Sequence, residues 1–220
     1  MLARTCHVLH LGVVDYAEAL EVQERLVTER QCGRRGDTLV LLQHPPVITL
    51  GRRADRANIL VSAEHLQAQG ISLHEVSRGG DVTYHGPGQL VGYPILNLED
   101  HGNDVHRYLR MLEETIILVL RSHGLQPEQQ PGYTGVWMGN NKIAAIGVAV
   151  RGGVTMHGFA LNVDPNLAHF GLIHPCGYTD RGVTSMAAAL GHPPEFGAVH
   201  RAVAEAFGRV FGVKMVNAAR

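Results

Sequence analysis

The chain has 220 residues, 45% of them hydrophobic and 18% charged, with a formal net charge of −1. That profile fits one globular domain over residues 1–220 with a sizeable core, and the near-neutral charge gives no electrostatic ground for nucleic acid or an anionic membrane as partner. No stretch approaches the ~18 apolar residues of a membrane span. Arg4, His7, His10, Asp15 and Glu18 interrupt any N-terminal apolar run, so no signal peptide is expected. The three cysteines, Cys6, Cys32 and Cys176, form no CxxC pair, which speaks against a disulfide framework and for a reducing, cytoplasmic setting.

In chain order, residues 6–11 read as a strand, and 15–29 as an amphipathic helix with Ala19, Leu20, Val22, Leu26 and Val27 on its apolar positions. Residues 38–42 and 47–50 read as strands separated by the Pro45-Pro46 turn. A basic Gly51-Arg52-Arg53 loop follows, equally consistent with a phosphate contact or a solvated turn. Ser62 is placed to cap a short helix ending at Gly70, and 73–76 is a strand. Residues 78–94 (RGGDVTYHGPGQLVGYP) hold five glycines and two prolines around Val82, Thr83, Tyr84 and Leu90, Val91, Tyr93. This predicts a hairpin of two short strands turning at Gly86-Pro87-Gly88, with backbone bare enough for a ligand to approach. The longest helix runs from Val105 to about His123, capped by Asn103 or Asp104. A polar connection at 126–130 leads to three strands, 133–138, 142–150 and 154–163, joined by tight turns into an antiparallel meander. Residues 166–171 form a short helix or turn, 173–177 a loop, and Thr184 or Ser185 caps a short helix to about Leu190. Residues 194–210 form a last amphipathic helix and 213–216 a short strand. Strands and helices mix without βαβ alternation. The expected class is α+β, a mixed or antiparallel sheet flanked by helices.

Two residues stand out chemically. The basic residues are 17 arginines and two lysines, Lys142 and Lys214. Arginine stays protonated, whereas a desolvated lysine can lose its proton and act as a base; Lys142 begins the apolar run KIAAIGVAV, an odd place for a charge. Cys176 sits between Pro175 and Gly177 in a loop, where a thiol can be held for nucleophilic attack if a base or cation lies near. Cys6 and Cys32 read as structural. The chain has 14 histidines, but their spacing fits no metal motif: His74-Glu75 begins an HExxH pattern that Arg78 breaks, and His101 and His106 lack matching ligands. No metal and no cofactor are expected. GxSxG, GxxxxGK[ST] and GxGxxG are all missing.

Four segments together resemble one family, the lipoyl(octanoyl) transferases. They are Arg78-Gly79-Gly80 with Thr83-Tyr84-His85, Pro87-Gly88-Gln89 and Tyr93-Pro94; Lys142-Ile143-Ala144-Ala145-Ile146-Gly147; His157-Gly158-Phe159-Ala160-Leu161-Asn162; and Pro175-Cys176-Gly177. The similarity runs over about 39–190. The resemblance implies a fold like the catalytic domains of biotin and lipoate protein ligases. It implies transfer of an octanoyl group from octanoyl-acyl carrier protein to a lysine of lipoyl domains, those of 2-oxoacid dehydrogenase complexes and of the glycine cleavage H protein. It also implies Cys176 as the acyl-thioester residue and Lys142 as its acid/base partner. The acyl-binding positions carried over are Arg78, Gly79, Gly80, Asp81, Val82, Thr83, Tyr84, His85, Ala145, Ile146, Gly147, Gly158, Phe159 and Ala160. The rival expectations are an ATP-dependent lipoate or biotin ligase, an enzyme moving octanoyl groups between lipoyl domains, and a non-catalytic acyl-binding module.

Overall fold

A computed structural model describes residues 4–175 and 181–218. The elements follow as β1 (Thr5–Val13), α1 (Tyr16–Gln31), β2 (Asp37–Gln43), β3 (Val47–Leu50), α2 (Ala63–Ala68), β4 (Ser72–Glu75), β5 (Val82–His85), β6 (Gln89–Ile95), α3 (Val105–Ser122), β7 (Glu128–Gln130), β8 (Tyr133–Met138), β9 (Asn141–Arg151), β10 (Val154–Asn162), β11 (Gly182–Val183), α4 (Met186–Leu190), α5 (Phe196–Phe211) and β12 (Lys214–Asn217). The large sheet has the order β12-β1-β2-β6-β10-β9-β8-β7, with β11 added to β9; a small sheet has the order β4-β3-β5. β1 pairs in parallel with both β12 and β2, whereas β2, β6, β10, β9, β8 and β7 are antiparallel in turn. The sheet is therefore mixed, as its irregular element order predicts.

Alternation along the central strands divides the core. On β2, Leu39 and Leu41 join the cluster built on α3 and α5, while Val40 and Leu42 join the one under α1. β10 divides in the same way: Phe159 and Leu161 go to one side, Met156 and Ala160 to the other. Both faces are covered by helices, which is why these strands read as near-continuous apolar runs. Side-chain caps start the helices where the sequence places them: Ser62 accepts from the His65 N–H, Asp104 from those of His106 and Arg107, and Ser185 from that of Ala188.

The hairpin expected within residues 78–94 does not form. β5 pairs with β3 in the small sheet, whereas β6 pairs with β2 and β10 in the large one. The turn residues are those of a hairpin, but the side chains have different homes. Val82 and Tyr84 are buried with Ile48, Leu66, Ile71, Phe170 and Ile173, and Leu90 and Val91 lie in the two cores of the large sheet. Residues 86–88 thus form the passage between sheets. Gly88 makes it possible: its φ is +88°, its N–H donates to Gln43 Oε1 (2.8 Å), and its carbonyl accepts from Val163 and Asp164 (3.1 and 2.9 Å). Two shorter differences involve β7, which forms inside the polar connection, and the two-residue β11, too brief to carry a periodic signal.

A Cβ on Gly88 would overlap the Asp164 carbonyl, whereas Gly124, at φ +81°, has nothing within 4 Å of that position. Both substitutions to alanine strain a left-handed residue. Gly124→Ala should cost roughly 1 kcal/mol and Gly88→Ala more than about 3 kcal/mol, because only the latter also displaces backbone. Urea unfolding of the two variants measures the difference, and equal losses would show that the passage between sheets is not close-packed.

Candidate active site

β9 and β10 pair so that Ala145 opposes Ala160 and Gly147 opposes Gly158. These two pairs, on either side of the Ile146–Phe159 pair, carry almost no side chain, and the space they leave is a cavity. The segment 78–80 roofs it. The Gly79 N–H donates to the Val148 carbonyl (2.9 Å), which pins that segment to β9. A Cβ on Gly147 would lie 3.1 Å from both Arg78 Cδ and the Gly79 carbonyl oxygen, so the roof sits directly on the strand. At Gly158 the bare backbone serves a neighbour as well: a Cβ there would come within 2.7 Å of Pro94 Cδ on β6. β5 forms the side wall through Thr83 and His85.

Of the sequence-predicted binding positions, Arg78, Gly79, Gly80, Asp81, Val82, Thr83, His85, Ala145, Ile146, Gly147, Gly158, Phe159 and Ala160 all line this cavity, and Lys142 lies on it too. Tyr84 points the other way. The two-residue period of β5 turns its ring into the small sheet's core, where its hydroxyl meets His169 Nδ1 at 2.7 Å. Arg78 is buried, and its guanidinium donates to the Thr49 carbonyl (2.7 Å) and hydroxyl (2.8 Å), tying the roof to β3.

Lys142 is buried near the start of β9, with its Nζ 4.8 Å from the centroid of the Trp137 ring. Gly135, on the facing strand, packs against its aliphatic stem, and the Gly135 N–H donates to the wholly buried carboxylate of Glu113 (3.0 Å). Cys176 lies outside the described residues. The chain on either side of it is described. Pro175 lines a smaller pocket with Thr83, Lys142 and Ala145, and Arg181 stacks its guanidinium 3.8 Å from the Tyr133 ring and 5.0 Å from that of Trp137. Beyond Arg181, Val183 pairs with Lys142, and the Thr184 N–H donates to the Lys142 carbonyl (3.0 Å). A buried relay fixes this corner: His85 Nδ1 meets Gln89 Oε1 (3.1 Å), Gln89 Nε2 donates to Asn162 Oδ1 (3.0 Å), and Asn162 Nδ2 donates to the Thr184 carbonyl (2.9 Å).

The far end of the cavity is closed by Tyr16, Tyr93 and His157, the last two held from behind. The Tyr93 hydroxyl is 2.8 Å from His44 Nε2, and His44 Nδ1 donates to the Val14 carbonyl (2.7 Å). His157 has φ +56°, its N–H donates to Gln23 Oε1 (2.8 Å), and its Nε2 lies 3.2 Å from Ser77 Oγ. Register puts His157 opposite Val148, six residues along β9 from Lys142, which is about 20 Å of strand. Sequence reasoning gave no role to this wall. Tyr93 and His157 stood inside quoted motifs, but Tyr16, the first residue of α1, carried no signal at all.

Burial pushes the Tyr16 phenol up to about 12 and the histidines down. His44 and His157 fall to about 4 by desolvation, and His85 falls well below its ordinary value by desolvation with His44 and Arg78 adding to it. Among the described residues no group of three or more His, Cys, Asp and Glu side chains could hold a metal ion, and no helix is long and apolar enough to cross a membrane.

In fold the chain is similar to solved lipoate and biotin protein ligases. A putative lipoate protein ligase from T. acidophilum superposes with a TM-score of 0.75 at 16% identity, over 97% of this chain and 88% of its own. The biotin protein ligase of Aquifex aeolicus superposes with a TM-score of 0.59 at 13% identity, over 93% and 70%. The family described as "Lipoyl protein ligase A/B catalytic domain" matches residues 15–208, and the chain belongs to it. A curated relative from Caldicellulosiruptor saccharolyticus, named octanoyltransferase, is 53% identical over 210 residues, 94% of this chain and 89% of its own length.

The buried histidines set a pH dependence. Unfolded, each binds its proton near pH 6.5; folded, His44 and His157 do so only near pH 4, and burial holds His85 well below its ordinary value. Between those values the unfolded state holds more protons, so stability is full above about pH 6.5 and is lost as pH falls. At pH 5 the loss should be about 2 kcal/mol each for His44 and His157, with His85 adding in the same direction. Urea midpoints at pH 7 and pH 5 measure it, and a midpoint that does not move would contradict neutral burial.

Proposed function

We propose that this protein transfers an octanoyl group from a carrier-protein thioester to a lysine of a lipoyl domain, with Cys176 as the acyl acceptor and Lys142 as the acid/base. Membership of the family and the relative's name support octanoyl transfer. The observation that carries the site assignment is that the Ala145–Ala160 and Gly147–Gly158 pairs of β9 and β10 open a slot that reaches Lys142, and that Pro175 and residues 181–184 bring the chain to Lys142 from both sides of Cys176.

The chemistry follows in two steps. Lys142 takes the thiol proton of Cys176, and the sulfur attacks the octanoyl carbonyl. The carrier thiolate leaves and takes that proton from Lys142. The target lysine amine then attacks the acyl-enzyme. Lys142 accepts a proton from it and returns that proton to the departing Cys176 sulfur, leaving an amide and a free thiol. A thioester is already activated, so ATP has no part. Each methylene in the slot contributes about 0.8 kcal/mol, so an octanoyl chain outbinds a short one by several kcal/mol. The acceptors on this reading are lipoyl domains of 2-oxoacid dehydrogenase complexes and the glycine cleavage H protein, and the setting is the cytoplasm.

Incubation with octanoyl carrier protein and no acceptor should add one octanoyl mass that hydroxylamine removes. Cys176→Ala should abolish it, and an adduct persisting on another residue would sink the nucleophile. Lys142→Arg keeps charge without a useful base, and single-turnover acylation should fall at least about 100-fold; an unchanged rate would leave Lys142 a structural residue. The closed end supplies a second test. Tyr16→Ala should raise the kcat/KM ratio of decanoyl to octanoyl donor by up to about tenfold, the worth of two more buried methylenes. A ratio that stays at the wild-type value would remove Tyr16 from the wall.

A further inference from the structure

A second groove, of about 610 Å³, runs outside the acyl slot and meets it at Lys142, Ile146 and Gly147. Its walls are the outer side of the Gly79–Gly80 backbone, Val105 and Leu109 of α3, and Gly132 and Thr134 before and within β8; at its rim stand Arg52 and Arg53. Both arginines are exposed, and neither guanidinium has a hydrogen-bond or ion-pair partner among the described residues. Nearby Arg56, by contrast, pairs with Glu75 at 2.5 Å.

The backbone beneath Arg52 and Arg53 is fixed. Gly51 follows β3 so close to the roof that a Cβ would lie 2.5 Å from the Gly80 carbonyl oxygen. The Arg52 N–H donates to the Arg78 carbonyl (3.0 Å) and the Arg53 N–H to that of Gly80 (3.2 Å). The acidic group on this groove is Asp81, and its carboxylate is engaged elsewhere, by the Asp55 N–H (3.1 Å) and Asn58 Nδ2 (2.6 Å). The rim therefore presents two unneutralised guanidiniums, on a backbone clamped to the acyl slot, at the outer end of a groove whose inner end is Lys142. Guanidinium forks match phosphate oxygens, and such charge-assisted hydrogen bonds are the strong ones.

We infer that Arg52 and Arg53 form a binding site for the phosphodiester at the root of the donor's pantetheine arm, with the groove holding the arm while its thioester reaches Lys142. This rests on the donor proposed above. The site explains how an enzyme with a small acyl slot holds a donor whose acyl chain is only its tip.

Three octanoyl donors separate the sources of affinity: the carrier protein, octanoyl-phosphopantetheine, and octanoyl-pantetheine, which lacks the phosphate. For the Arg52→Gln/Arg53→Gln variant, the kcat/KM ratio of octanoyl-phosphopantetheine to octanoyl-pantetheine should fall at least about fivefold from the wild-type ratio, and the wild-type ratio should itself fall with salt. An unchanged ratio overturns the site. A loss confined to the carrier protein also overturns it, because the arginines would then touch the protein and not the arm. A wild-type protein inactive with all three donors defeats the reaction proposed above together with this site, whereas an active wild type with an unmoved ratio defeats the site alone.

Discussion

The passage of the chain from the small sheet to the large one, between His85 and Gln89, is the constraint on which the rest depends. It is a close backbone contact: the Gly88 carbonyl accepts from two successive N–H groups at the end of β10. Because β5 belongs to one sheet and β6 to the other, residues of both sheets line the cavity, the wedge between them. His85 and Thr83 face the wedge from one side and Ala160 and Ala145 from the other. The relay from His85 through Gln89 and Asn162 then reaches the strand that carries Lys142.

Electrostatics and burial cooperate in that wedge. Three neutral histidines, two phenols and the Arg78 guanidinium share a region with little solvent. Removing charge from water is costly, so the histidines hold no proton and the phenols keep theirs. The result is a polar wall that stays uncharged and can close an apolar slot. The Arg78 guanidinium is turned toward Thr49 and serves the roof.

Much of this was legible in the sequence. Strong periodicity and caps placed α1, α3, α5 and the β8–β10 meander, and Lys142 announced itself as a lysine in an apolar strand of an arginine-rich chain. The family motifs named thirteen residues that do line one cavity. Two kinds of feature were not legible. Pairing partners were one, because Gly86-Pro87-Gly88 is the turn chemistry of a hairpin whether or not the flanking strands belong to the same sheet. Side-chain direction was the other: Tyr84 sits among cavity residues in sequence yet alternates away from them, and Tyr16 reaches the cavity from 62 positions before Arg78, with no local pattern to mark it.

The roof at Gly79 and Gly80 separates the proposed acyl slot from the outer groove with backbone alone. That has a consequence for how relatives of this enzyme can diverge. A wall without side chains has nothing to trim, so substitution there can only add bulk and obstruct both compartments together. On the proposed reading, any lineage that widens its acyl preference must do so at the distant end, where Tyr16 and Tyr93 offer atoms to lose. The two ends of the slot thus stand under opposite evolutionary freedom, one fixed by having nothing left to remove and the other open to adjustment.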